Sequence, residues 1–300
     1  MKKTLLTLAL LIAALSAPAQ LLYKISGNGL QAPSYIVGTY HLAEVSFVDS
    51  IPGIRQALDN CQQVYGEIDM STLNDPGQIM KMQQAMMLPE GTTLDRLLTS
   101  DEMSRLNAYM SSLLGVDMTN PMVAQQMGRL TPQALSTQFS LLTFMKKHEG
   151  FDPQNLFDNY FQKYAQQNGK SVGGFETVDF QVKVLYQGMT LDRQKQLLMC
   201  FIDNQEFMNQ HADNVIHGFY AQDLNALKEA MDMKMNTACD STPEEDAQII
   251  NNRNADWLTK MPAIMSAKPT FFAVGAGHLP GDKGVLNLLR QAGYNVEGVR

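Results

Sequence analysis

Apolar and polar positions alternate with period two at both ends of the chain and recur at helical spacing through its middle. Residues 21–26 alternate, Asn28-Gly29 is a turn signal, and 34–37 is a short apolar run, which together predict a β-hairpin. Ile51, Ile54 and Leu58 share one face of a helix over 51–60, and residues 64–70 predict a third strand carrying Glu67 and Asp69. From about residue 75 to 168 the period is helical, with helices over 76–88, from Thr99-Ser100 to Gly115, over 131–147 and over 153–168. One strand interrupts the helical middle at 171–175. Helices follow at 190–210 and 224–233, and from Ser241-Thr242-Pro243 to about Ile264. The chain closes with a strand at 270–274, a helix at 284–292 and a strand at 294–300. This order predicts one α/β domain over residues 20–300, its mixed β-sheet built from N- and C-terminal segments, with a large helical insertion between them.

The polar signatures sit where strands end. Gly275-Ala276-Gly277-His278 follows the strand at 270–274, and Gly38-Thr39-Tyr40-His41 follows the run at 34–37. Small residues let the backbone turn sharply at a strand end, and open α/β sheets bind ligands at that end. Each histidine taken singly is equally well read as a hydrogen-bonded loop residue. Two strand-borne GxxH units, one near each end of the chain, point to a shared site.

Composition removes some functions. Net charge is −7 with no basic run, which excludes a nucleic-acid surface. Residues 1–19 read as a secretory leader: Lys2-Lys3, an apolar stretch at 5–15, and Ala17-Pro18-Ala19 before a mature start at Gln20. No later stretch is apolar enough to span a membrane, so the mature protein is expected to be exported, periplasmic or secreted. Export permits a disulfide. Cys200 and Cys239 both lie in the helical middle and are the expected pair, with Cys61 a small buried residue. The 20 methionines are dispersed through amphipathic helices and read as core and groove lining. His211 and His217 are six apart, off the spacing that would put both on one helix face.

The motifs Gly38–His41, Gly66-Glu67-Ile68-Asp69, Gly173-Gly174-Phe175-Glu176-Thr177 with Gln181 after it, Asn251-Asn252-Arg253-Asn254, and the segment 275–285 (GAGHLPGDKGV) occur in the order found in the TraB/GumN family. The chain resembles that family, and through it the Tiki metalloproteases, over essentially its whole mature length. The resemblance implies a Tiki-like fold with both GxxH motifs and an acidic residue in one cleft, and divalent-metal-dependent peptide hydrolysis. Carried onto this sequence, it marks His41 and His278 as the GxxH histidines and Glu67 as the acidic residue of the early strand. Glu176 is matched too, with Phe175 in place of the commoner Leu, and so is the pair Arg253-Asn254.

Two histidines and a carboxylate suit Mn²⁺, Co²⁺ or Zn²⁺, and a metal so held lowers the pKa of bound water. On that reading His41, Glu67 and His278 are the metal ligands and Glu176 is the general base. Arg253 stabilises the oxyanion or clamps a substrate carboxylate, Asn254 belongs to the catalytic set, and Tyr40 and Gln181 contact substrate. The expected partner is a peptide or small-molecule substrate. Two alternatives stay open: a metal-free esterase-type hydrolase using His41 or His278 as base with Glu67 orienting it, and a non-catalytic protein that binds a peptide or signal.

Overall fold

Six strands form one sheet in the order β4-β3-β5-β2-β1-β6. They are β1 (Leu22–Gly27), β2 (Ser34–Thr39), β3 (Gln63–Ile68), β4 (Ser171–Glu176), β5 (Thr270–Gly275) and β6 (Tyr294–Gly298). The computed structural model describes residues 20–153 and 155–300, so the expected leader at 1–19 lies outside the described residues. The hairpin β1–β2 is antiparallel, as is β1–β6, whereas β2–β5, β5–β3 and β3–β4 are parallel. The sheet is therefore α/β and mixed, assembled from both chain ends with β4 as the one contribution of the helical middle. Strands buried on both faces need no alternation. Accordingly every residue of β2 is buried, and so are the first five of β5.

Helices cover the two faces. Phe161, from the helix Phe157–Gln167, stacks on Phe271 of β5. Trp257, from the helix Asn252–Ala267, stacks on Phe175 of β4, which stacks in turn on Phe272. Phe271 and Phe272 are sequence neighbours, so they point to opposite faces and anchor one helix each. A second apolar cluster lies wholly within the helical segment. Leu106 and Met110 of the helix Ser100–Leu114 pack with Leu135 and Phe139 of Pro132–Lys147 and Leu198 of Leu191–Asp203. The capping signals at the start of two helices are realised: Thr99 with Glu102, and Thr242 with Glu245, each form a reciprocal capping box.

Three expectations need correction. The single helix expected over 190–210 is two, Leu191–Asp203 and Gln205–Tyr220. Asn204 leaves helical geometry between them and returns its side-chain N–H to Cys200 O, the local competition with the helix that asparagine offers. Asp69 is not a strand residue but the N-cap of a short 3₁₀ turn, its carboxylate accepting from Ser71 N–H. The helix expected from Pro243 to about Ile264 instead contains a π-helical turn, Ala247–Asn251, directly before Asn252–Ala267. Such turns widen the helix and free a carbonyl. Here Ile249 O accepts from the Arg253 side chain.

Cys200 and Cys239 form a disulfide, and Cys61 is free and buried, its thiol pushed up to about 12 by burial. The bridge ties the helix Leu191–Asp203 to the segment leading into Pro243. The same segment is held by Arg193, which pairs with Glu245 and donates to Ala238 O and Asp240 O. Cys200→Ser/Cys239→Ser should lower the unfolding free energy by roughly 2–4 kcal/mol, the usual contribution of a bridge closing a loop of this size. Denaturant melts of the wild type with and without reductant should show the same loss. No helix among the described residues is long and apolar enough to cross a membrane.

Candidate active site

Four strands, β4, β3, β5 and β2, run parallel, so their C-terminal ends fall on one edge of the sheet. Glu176, Glu67, Gly275 and Thr39 stand at or next to those ends, and His278 and His41 lie just beyond them. The leading glycine of each GxxH unit is a close-approach residue. A Cβ on Gly38 would come 2.9 Å from Ala276, in the turn that carries His278. A Cβ on Gly275 would come 3.1 Å from Glu67 Oε1 and 3.5 Å from His278 Cδ2. Side chains at either position would push these groups apart.

Arg253 is the hub. It is only 5% exposed, and its guanidinium is used in full. Nε and Nη2 donate to the two oxygens of Glu176 at 2.7 and 2.9 Å, a bidentate pair, and Nη2 also donates to Glu67 Oε2 at 2.5 Å. Nη1 donates to Ile249 O and lies 3.1 Å from His278 Nε2. Trp257 closes the cluster from beneath, with its indole N–H donating to Glu176 Oε1 and its ring under both Arg253 and His278. Glu176, its side chain 1% exposed, thus accepts from Arg253 twice, from Trp257 and from Gln181 Nε2. A carboxylate offers about four lone-pair positions. All four are taken, so this residue anchors Arg253 and has nothing left for a water proton. Among the described residues Glu67 accepts only from Arg253 and Gly275 N–H and keeps capacity to spare.

The two imidazoles are held alike. Asn254 Nδ2 donates to His278 O and Lys283 O, which fixes its amide so that Oδ1 faces His278 Nδ1 at 2.6 Å. An amide oxygen can only accept, so Nδ1 carries the proton and Nε2 the lone pair. His278 is buried, and this burial, despite Glu67 and with help from Arg253 and His41, pulls its pKa down to about 4. His278 Nε2 lies 3.9 Å from Glu67 Oε1. His41, by contrast, has its side chain 76% exposed and sets Nδ1 3.0 Å from Asp158 Oδ2. Its pKa is raised to about 9, first by that hydrogen bond and then by the Asp158 charge. Burial pushes the Glu67 carboxyl up, yet His278, Arg253, the Gly275 N–H and His41 together hold it below the usual carboxylate range.

With this geometry in hand, the comparisons with known proteins are decisive on kinship. The model of the TraB/PrgY/gumN family matches residues 21–298. The chain belongs to that family. Metalloprotease TIKI2 of Danio rerio is 25% identical over 311 residues, covering 88% of this chain and 58% of that protein. Metalloprotease TIKI1 of Homo sapiens is 25% identical over 312 residues, with coverages of 88% and 59%. The Metalloprotease TIKI homolog of Nematostella vectensis is 24% identical over 316 residues, with 89% and 65%. The chain spans about three-fifths of the length of these relatives. No solved structure matches it.

In this TraB/PrgY/gumN protein the residues singled out by sequence divide into three groups. Glu67, Glu176, Arg253, Asn254 and His278 form one hydrogen-bonded cluster, and Gln181 joins it through Glu176. His41 stands beside the cluster, within reach of the charges of Glu67 and Arg253, but is bonded to Asp158. Tyr40 packs its ring on Phe219, against the core. Among the described residues no three His, Cys, Asp or Glu side chains stand in metal-binding geometry, because Arg253 borders His278 Nε2 and Asp158 holds His41. The chemistry of the donors nevertheless fits a divalent cation. A neutral imidazole with Nδ1–H tied to an oxygen and Nε2 left as the lone pair is the usual state of a metal-ligating histidine; His278 has it, and His41 has the same Nδ1 tie but must give up the proton it holds below about pH 9.

Asp158 and Trp257 escaped the reading of the sequence. Asp158 lies 117 residues from His41, in the first turn of an ordinary amphipathic helix, and nothing local marks it. Its effect is measurable. The folded-state pKa of His41 is raised from 6.5 to about 9, so the pair's contribution is complete below about pH 6.5 and lost as pH rises through about 9. With the ring so exposed, the pair acts mainly on the proton and little on stability. Asp158→Asn should return the His41 titration toward 6.5 in an imidazole NMR titration. A midpoint unmoved by the substitution would mean that Asp158 does not hold the ring.

Proposed function

We propose that this protein is an exported hydrolase of the peptidase or amidase class, working at the strand ends where His41, Glu67, Arg253 and His278 meet. The observation that carries the reading is the matched support of the two histidines, each with Nδ1 tied to a side-chain oxygen beside an ionised carboxylate and a buried arginine. Hydrolysis adds water across the scissile C–N bond. The water oxygen bonds to the carbonyl carbon, the C–N electron pair leaves with nitrogen, and a proton follows to that nitrogen. His41, Glu67 and His278 would hold an Mn²⁺, Co²⁺ or Zn²⁺ ion, which when bound supplies an activated water and a polarised carbonyl. Asn254 and Asp158 fix the imidazole tautomers. Arg253, its N–H groups already engaged, would stabilise a developing oxyanion through its fixed positive charge, and Glu176 with Trp257 holds it there.

One observation favours a second, metal-free reading. The Arg253 Nη1 already lies 3.1 Å from His278 Nε2, where a cation would compete with it. In that version Glu67 takes the water's proton and His41, protonated below about pH 9 and open to solvent, gives one to the leaving group.

A panel of peptide and ester substrates, assayed with added Mn²⁺, Co²⁺ or Zn²⁺ and again in chelator, separates the readings. Turnover abolished by chelator supports the metal-dependent hydrolase, and turnover indifferent to it supports the metal-free one. Binding of a peptide without cleavage of any substrate would make the protein a sequestering module and end both. N-terminal sequencing of the mature protein, expected to start at Gln20, tests the export reading.

A further inference from the structure

Thr39 lies in the middle of the first GxxH motif and has been given no role. Its residue is 2% exposed, and its hydroxyl finds no hydrogen-bond partner among the described residues. Buried hydroxyls are nearly always paired, and an orphan is costly to keep. Valine would fill the same space at no such cost, so the hydroxyl needs a reason.

Its position supplies one. Thr39 pairs with Gly275 across the parallel ladder between β2 and β5, and residues paired side by side in such a ladder project to the same face. The side of Gly275 that would carry a Cβ is the side approached by Glu67 Oε1 and His278 Cδ2. With glycine at 275 that side of β5 is left open. Thr39 therefore projects to the side of the ladder from which the Glu67 carboxylate approaches Gly275, two residues before His41. The hydroxyl is closed off from bulk solvent, so its missing partner is small.

We propose that Thr39 Oγ1 binds the attacking water, holding its oxygen at the strand ends beside Glu67. The inference deepens the hydrolase reading and rests on it. A threonine hydroxyl can donate to the water oxygen while Glu67 accepts one of the water's protons, so the two fix both position and lone-pair direction.

Two measurements test it together. A high-resolution crystal structure of the wild-type protein should contain an ordered water bonded to both Thr39 Oγ1 and the Glu67 carboxylate. An empty position there, or a protein partner for the hydroxyl, overturns the proposal. That arm stands even if no substrate is cleaved, in which case the hydrolase reading fails by itself. In the kinetic arm, Thr39→Val should lower kcat by about tenfold or more with KM little changed, while its thermal midpoint stays level or rises because an unpaired buried hydroxyl has been removed. Thr39→Ser, which keeps the hydroxyl, should hold kcat within about threefold of wild type. A Thr39→Val variant with wild-type kcat, with only KM raised, or with a lowered thermal midpoint would each refute the assignment.

Discussion

Arg253→Met should lower the unfolding free energy by about 3–5 kcal/mol at neutral pH, the cost of removing one member of a buried ionic group and leaving the others uncompensated. Arg253 is the cation between Glu67 and Glu176, and both carboxylates are shielded from water. The methionine fills the aliphatic volume over Trp257 but returns none of the donor contacts to the two carboxylates. The loss therefore belongs to the charges and not to a cavity. Adding Glu67→Gln and Glu176→Gln in the same chain should restore much of it, because replacing a buried ionic group as a whole is far milder than breaking it. Urea melts of the wild type, the single and the triple variant provide the comparison. A single variant within 1 kcal/mol of wild type would show that Arg253 is not the electrostatic centre of the cluster.

Removing His41 should lower turnover by about 10³-fold or more in either hydrolase reading, as a metal ligand or as the acid, and removing His278 should do so in the metal-dependent one. The two variants should differ in stability. His41 has its side chain 76% exposed and one partner, so His41→Ala should melt with the wild type. His278 is buried against Trp257, between Asn254 and Arg253, so His278→Ala should lose roughly 2–4 kcal/mol. The acid limb carries a second signature of His278. A histidine whose folded pKa is depressed to about 4 keeps its contribution above about pH 6.5 and loses it as pH falls toward 4, since the unfolded chain takes up the proton first. The wild type should weaken over that window, and His278→Gln should weaken less. Activity that survives both histidine substitutions would place the reaction elsewhere in the molecule.

Much of this architecture could be read from the order of residues. Period-two runs at the chain ends and period-3.6 runs between them are local consequences of where apolar side chains must face, so the mixed sheet, the helical insertion and most boundaries followed from the pattern. Capping chemistry is equally local, which is why Thr99 and Thr242 marked their helix starts. The GxxH units were legible because each stands directly after a short apolar run that reads as a strand, whatever lies beyond it. The Cys200–Cys239 bridge matches the pairing expected from the export reading and from both residues lying in the helical middle.

What the sequence could not contain is the partner of each polar group. Whether Glu176 is a free base or a saturated anchor depends on Arg253 and Trp257, 77 and 81 residues away, and on burial that only packing produces. Asp158 meets His41 because the helix Phe157–Gln167 covers one face of the sheet, and Trp257 supports the site because Asn252–Ala267 covers the other. Hydrogen bonds and charge pairs act over a few ångströms in space and are indifferent to separation along the chain. Sequence alone therefore determined which chemical groups this protein carries and at which strand ends they stand. The tertiary structure decided which of them are already spent on one another, because only close approach in three dimensions assigns a lone pair to a donor.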